Sequence, residues 1–207
     1  GLAVFPLKPR NKTPIEGGGF KNSTTDIPTI ERWWNKTPNA NIGIATGQMS
    51  GGIVVIDLDI DDDKGINGYD SLRDWQRING DLPDTADSIT GRGGYHLFFR
   101  TSEKVKCRTG ILEGVDVRGD GGYVVAPPSI HYNGNQYMWE CPPDETPIAK
   151  ADKTVFMLLN EGSAKSNSNQ EPLGSIPDKL SEGTRNDTLF KIACSFQGRG
   201  ISDGAVL

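Results

Sequence analysis

The sequence predicts an α+β fold in which a run of short strands, separated by glycine turns, is accompanied by a few amphipathic helices. Three observations predict it. A chain of 207 residues, 35% hydrophobic and 24% charged, is long enough to bury the core of one ordinary domain plus something small. Its 26 glycines and 13 prolines punctuate it into short elements. Apolar residues recur at helical spacing in three places and at the two-residue strand period elsewhere, above all after Pro83.

Taken in order, Ala3–Leu7 reads as a strand leading into a basic, proline-bounded loop that holds Lys8, Arg10 and Lys12. Asp26 reads as an N-cap, followed by Ile27, Ile30, Trp33 and Trp34 at helical spacing. One face of this short helix is therefore expected to pack inward, with the tryptophans as core. Ile42–Ala45 is a strand closing in Thr46-Gly47, and the uniformly apolar start of Ile53–Leu58 marks a strand buried on both faces. Tyr69, Leu72, Trp75 and Ile78 give an amphipathic helix over 67–78. Then come candidate strands at Asp87–Thr90, Tyr95–Arg100, Val115–Val117, Tyr123–Ala126 and Gln136–Trp139, and a helix from Asp152 to Leu159.

These elements make residues 1–160 the main unit. Residues 161–178 have the Ser, Asn, Gln and Gly composition of a flexible linker, and 179–207 open a helical segment with a helix over Thr184–Gln197. That segment ends on an unfinished helix, and the chain starts at Gly1 without an initiator methionine, so a fragment of a longer polypeptide is expected.

Composition narrows the function. Cys107, Cys141 and Cys194 are scattered, with no C-x-x-C pair and only His96 and His131 to assist, which argues against a disulfide framework and a structural zinc site. There is no membrane-length apolar run and no basic-then-apolar leader, so a soluble, cytoplasmic chain without a membrane partner is expected. The net charge of −5 lacks the basic footprint usual for a nucleic-acid partner. Two divalent cations at a carboxylate cluster would bring the total close to neutral and leave basic residues free to line a groove.

Such a cluster is written into Ile53-Val54-Val55-Ile56-Asp57-Leu58-Asp59. Side chains alternate along a strand, so Asp57 and Asp59 leave the same face, and adjacent acids repel unless a cation lies between them. A hard divalent cation that takes oxygen ligands answers that need. Acids that cap the strand and face water are the plain alternative. An EF-hand loop on Asp59, Asp61 and Asp63 fails, because Lys64 stands where glycine is needed and a strand stands where a helix is needed.

Two further segments extend the set. Gly91-Arg92-Gly93-Gly94 is a glycine turn running into a strand that carries His96 among apolar residues. Such a turn lets backbone amides approach a phosphate, with His96 and Arg92 as donors, although a lone strand histidine is also a common core residue. Asp116 interrupts the apolar run Val115–Val117, and its burial is costly without a cation, a buried turn contact being the alternative. Three carboxylates, a histidine and at least two arginines on strands or strand ends form the inventory of nucleotidyl transfer.

D-h-D at Asp57 and Asp59, G-x-H at His96 and h-D at Asp116 resemble motifs I, II and III of the archaeo-eukaryotic primase superfamily. Pro6-Leu7 to Pro14, Trp33-Trp34, Asn41–Gly47 and Val115–Gly119 through Pro127-Pro128-Ser129 resemble its bifunctional primase/polymerase branch, in order over residues 3–140. The resemblance implies an RNA-recognition-like catalytic sheet packed with an N-terminal α/β module and followed by a short helical segment. It implies a plasmid- or phage-type replication protein that makes or extends primers on single-stranded or primed DNA from NTPs or dNTPs. Two magnesium or manganese ions are implied, with a helicase in the same protein or in trans. By matching positions, Asp57, Asp59 and Asp116 would be catalytic metal ligands and His96 the phosphate contact, with Arg92, Arg118, Lys8, Lys12 and Gly94 around the nucleotide.

Two departures stand out. The second motif often reads S-x-H, where this chain has Gly94, and the zinc-binding insertion of some relatives has no cysteine spacing here, so no zinc is expected. Two rival functions share part of the inventory. A silent origin-binding scaffold would have no reason to keep all three acids, and a metal-dependent nuclease would use the acids but not the basic and glycine-rich loops.

Overall fold

The computed structural model describes residues 1–162. Strands β1 (Val4–Leu7), β2 (Asn41–Ala45) and β10 (Tyr123–Ala126) form a small sheet in the order β1-β2-β10. The larger sheet runs β11-β6-β7-β3-β9-β8, from Met138–Cys141, Asp87–Ile89, Tyr95–Arg100, Ile53–Leu58, Val115–Arg118 and Arg108–Leu112, and β12 (Ala149–Lys150) pairs with β7. A two-stranded ribbon, β4 (Ile60–Asp61) with β5 (Ile66–Asn67), precedes helix α2 (Gly68–Asn79). Helices α1 (Ile27–Lys36) and α3 (Lys153–Leu159) complete a mixed α/β fold with a sheet-dominated core.

Alternation along the central strand β3 divides that core. Val54, Ile56 and Leu58 face Leu72 and Trp75 of α2 and Val155, Leu158 and Leu159 of α3. Ile53 and Val55 face the other way and join Phe98 with Ile44, Val124 and Ala126 of the small sheet. Every residue of β3 is buried, as its composition predicts. The helices start where the sequence places their caps: the side chains of Asp26, Asn67 and Asp152 accept from backbone N–H groups of the first turns of α1, α2 and α3.

The structure differs from the sequence reading in several elements. No residue of α1 is fully buried, and Ile27 is 62% exposed. The helix lies on the rim, where Trp33 packs beside the cluster of Phe5, Leu7, Val125 and Tyr137 and the Trp34 indole donates to the Ala40 carbonyl. In α2 only Gly68, Leu72 and Trp75 are buried, whereas Tyr69 and Ile78 are 51% and 85% exposed. The strand expected at Gln136–Trp139 runs instead over Met138–Cys141. Strand β8 was not expected, because Arg108-Thr109-Gly110 lacks apolar alternation. It sits at the sheet's edge, and its register with β9 shifts around Gly110, whose φ of +62° suits glycine. The proposed linker beyond Gly162, the segment 179–207 and the helix over Thr184–Gln197 lie outside the described residues. Among the described residues no helix is long and apolar enough to cross a membrane.

Candidate active site

Strand register builds the site. Asp57 on β3 is paired with His96 on β7 and with Asp116 on β9, so all three side chains leave one face of the sheet in a row across the strands. Asp59 follows on the same side two residues later. Its backbone is fixed from both directions, donating to Gly114 O at 2.8 Å and accepting from Gly68 N at 2.9 Å. Ligand oxygens of Asp57, Asp59 and Asp116 all lie within 4.8 Å of one another. Asp57 is buried to 8% exposure, Asp116 is half-buried and Asp59 is exposed, so the cluster opens outward along β3.

Three carboxylates so close need a positive counterpart. His96 Nε2 lies 3.4 Å from Asp57 Oδ1 on one side. On the other, the Arg118 guanidinium donates to Asp57 Oδ2 and, at 2.8 Å, to Asp116 Oδ2. Burial alone would push the Asp57 carboxyl up, but the hydrogen bond and charge of His96, with Arg118, outweigh it and hold the group down at about 2. Among the described residues Asp59 has no such partner. Burial and then the Asp57 charge raise it, and the positive charge of Lys12 only partly offsets them. The unbalanced acid is thus the one nearest solvent, where an arriving cation gains most. Hard carboxylate oxygens at this spacing fit a divalent cation, and the three aspartates can hold one.

Beside the cluster lies a cavity of about 400 Å³ lined by Asp57, His96, Arg118, Lys12, Tyr137 and the Gly121-Gly122 turn. A second hollow of about 280 Å³ adjoins it through Lys12, Val125 and Tyr137 and adds Arg10, Asn11, His131 and Tyr132. Burial, followed by the charges of Asp57 and Asp59, pushes the Tyr137 phenol up to about 12, so it stays neutral beside the acids. Residues 1–153 match the family model of the bifunctional DNA primase/polymerase N-terminal domain. The chain belongs to this family. No curated protein matches it. Family membership suggests primase/polymerase activity, which acts on DNA and nucleotides, and the acid triad is compatible with the metal such an activity uses.

Within this primase/polymerase domain, Asp57, Asp59, Asp116, His96, Arg118 and Lys12 meet around one space, although up to 61 positions separate hydrogen-bonded partners such as Asp57 and Arg118. Arg92 stands apart, 3.6 Å from Asp61 Oδ1, on a shallow hollow lined by Asp62 and Asp63. Lys8 is exposed and does not line the cavity. Gly94 is buried, and a Cβ there would meet the Leu58 carbonyl oxygen at 2.1 Å, which excludes serine or any other side chain without a backbone shift.

The glycines beside the acids belong to a different turn, Gly119–Gly122. The Thr46 hydroxyl donates to Gly119 O at 2.6 Å and Gln48 N donates to Asp120 Oδ1 at 2.7 Å, which tie that turn to the segment after β2. Sequence reasoning missed this turn and Tyr137. Gly121-Gly122 directly after the motif at Asp116 was a readable signal, whereas nothing local marks Tyr137.

Proposed function

We propose that the chain is a template-dependent nucleotidyltransferase, a DNA primase/polymerase that makes or extends primers from dNTPs or NTPs by a two-metal mechanism. One observation carries this reading: Asp57, Asp59 and Asp116 converge within 4.8 Å beside a cavity lined by Lys12, His96 and Arg118. Acids and cations on adjoining walls suit a substrate that is a triphosphate at one end and a metal-bound reacting centre at the other.

In this account Asp57, Asp59 and Asp116 hold two ions, magnesium or manganese. When bound, the ions lower the pKa of the attacking 3′-hydroxyl and neutralise charge building on the α-phosphate and leaving pyrophosphate. Asp57 and Asp116 are set by strand register, and Asp59 stands at the open end where primer and nucleotide approach. His96, buried at the floor, and Arg118 supply donors for phosphate oxygens, with Lys12 on the cavity wall. The Gly121-Gly122 turn borders the same space, with the Gly122 amide already donating to the Gly119 carbonyl at 3.1 Å, and so leaves the Gly121 amide as the backbone donor nearest a phosphate. Tyr137, kept neutral, offers a hydroxyl and a ring without competing for a proton. Arg92 and Lys8, farther out, are assigned to template or primer phosphates. The larger sheet, with its acids on one face, serves as the RNA-recognition-like catalytic sheet of the family, and a helicase in a plasmid or phage setting is the fitting partner.

Labelled nucleotides supplied with primed and unprimed DNA and magnesium or manganese test the reading. Extension of the primed template is expected, and product on the unprimed one would add initiation. Shortened DNA would replace the reading with a nuclease, and salt-dependent DNA binding without any product would replace it with a scaffold.

A further inference from the structure

A cavity of about 600 Å³ lies on the opposite side of the large sheet from the acids, between α2 and the β6–β7–β11 end. Its floor is apolar, from Leu58, Leu97 and Phe99. Its rim is acidic, from Asp84, Asp87 and Glu140, and among the described residues no lysine, arginine or histidine lines it.

Asp87 is the unusual member. It sits on β6 in register with Leu97 on one side and Cys141 on the other, so its carboxylate is directed at the helix-covered face rather than at water. One of its oxygens, Oδ1, is buried and has no hydrogen-bond partner among the described residues. Burial raises its carboxyl, and its charge in turn is the main cause that raises the Cys141 thiol. The Tyr95 phenol is pushed up by burial and then by Glu140 and Asp87, so these three groups surround one volume. Tyr69 faces Tyr95 with ring centroids 6.0 Å apart and planes tilted by 39°, and leaves half its own surface exposed. A carboxylate with one unpartnered oxygen and no cation beside it, next to two aromatic rings over an apolar floor, is the recognition chemistry of an organic cation carried on an apolar body.

We propose that this cavity docks a segment of a partner protein in which an arginine or lysine is flanked by apolar side chains. Three carboxylates with no facing cation repel nucleic acid, which excludes a second DNA site. The apolar floor gains nothing from a fully hydrated polyamine, whereas aliphatic neighbours of a basic side chain would cover Leu58, Leu97 and Phe99 while the cation meets Asp87 and Glu140. The site is separate from nucleotidyl transfer and does not depend on that reading.

The full chain is titrated with acetyl-Leu-Arg-Leu-Arg-Leu-amide and followed by backbone amide shifts, in parallel with the same peptide carrying neutral citrulline for arginine and with spermidine. Shifts confined to β6, β11 and the first turns of α2 are expected, with a dissociation constant of about 1 mM or below. The citrulline peptide and the Asp87→Asn/Glu140→Gln variant are each expected to weaken binding about ten-fold, with primer extension by the variant unchanged. No shifts, shifts centred elsewhere, or equal binding by the citrulline peptide or by the variant would overturn the proposal. Binding of spermidine as tight as that of the peptide would also overturn it and would leave a small-amine site.

Discussion

Arg118 grips Asp57 through two nitrogens, Nε and Nη2, each 3.1 Å from the same oxygen, Oδ2. Because Nη2 also reaches Asp116 Oδ2 at 2.8 Å, this one side chain spans the carboxylates of two neighbouring strands. Arg118→Gln removes that cation from a buried acid, Asp57, and a half-buried one, Asp116, that then face each other. The expected result in chelator is a melting temperature lower by about 5 °C, on the order of 2 kcal/mol for a domain of this size. Magnesium should restore part of the loss, and extension should stay depressed about 100-fold because a phosphate donor is gone. Thermal melts with and without magnesium check the first half, and primer-extension rates the second.

Divalent metal should itself stabilise the wild-type chain. Binding to the folded state alone, at about 100 times the dissociation constant, adds about 2.7 kcal/mol, which a melt in manganese against chelator reads directly. The Asp57→Asn/Asp59→Asn variant should show almost none of this increment.

Gly94 is required by a backbone contact. With the Leu58 carbonyl 2.1 Å from where a Cβ would be, Gly94→Ser should cost about 2 to 3 kcal/mol through strand displacement, and denaturant unfolding should show it as a lower midpoint. The variant should not gain activity, since the added hydroxyl arrives with a distorted β3–β7 pair.

Much of the site could be read before any coordinates. Alternation alone puts Asp57 and Asp59 on one side, and the polar interruption at Asp116 marks a residue in need of a cation, which Arg118 supplies. Register could not be read. Which strand pairs with β3, and therefore that His96 and Asp116 flank Asp57, depends on contacts far apart in sequence. For the same reason the two glycine turns were not separable: Gly91–Gly94 and Gly119–Gly122 look alike, but only the second closes beside the acids. Edge strand β8 was illegible because an exposed edge imposes little apolar alternation, and the exposed Ile78 shows that helical spacing alone does not decide burial.

Asp87 gives a pH prediction. Its carboxyl is raised above the ordinary 3.8 by burial, so the folded protein binds this proton more readily than the unfolded chain does. The sign follows: stability from this group is fully present below pH 3.8 and is lost as pH rises through the higher folded value. Asp87→Asn imitates the protonated form, and should melt above wild type at pH 7 and level with it at about pH 3. Melting curves across that range check it, and an unchanged or lower midpoint at pH 7 would contradict it.

The central claim is that the acid triad supports nucleotide transfer, and its most direct test is primer extension by Asp59→Asn beside wild type, with matched melting curves. Asp59 is exposed, so the substitution should leave the melting temperature in chelator unchanged or slightly raised, while incorporation falls by about 1,000-fold or more in magnesium and in manganese. Near-normal incorporation by a folded Asp59→Asn chain would contradict the account.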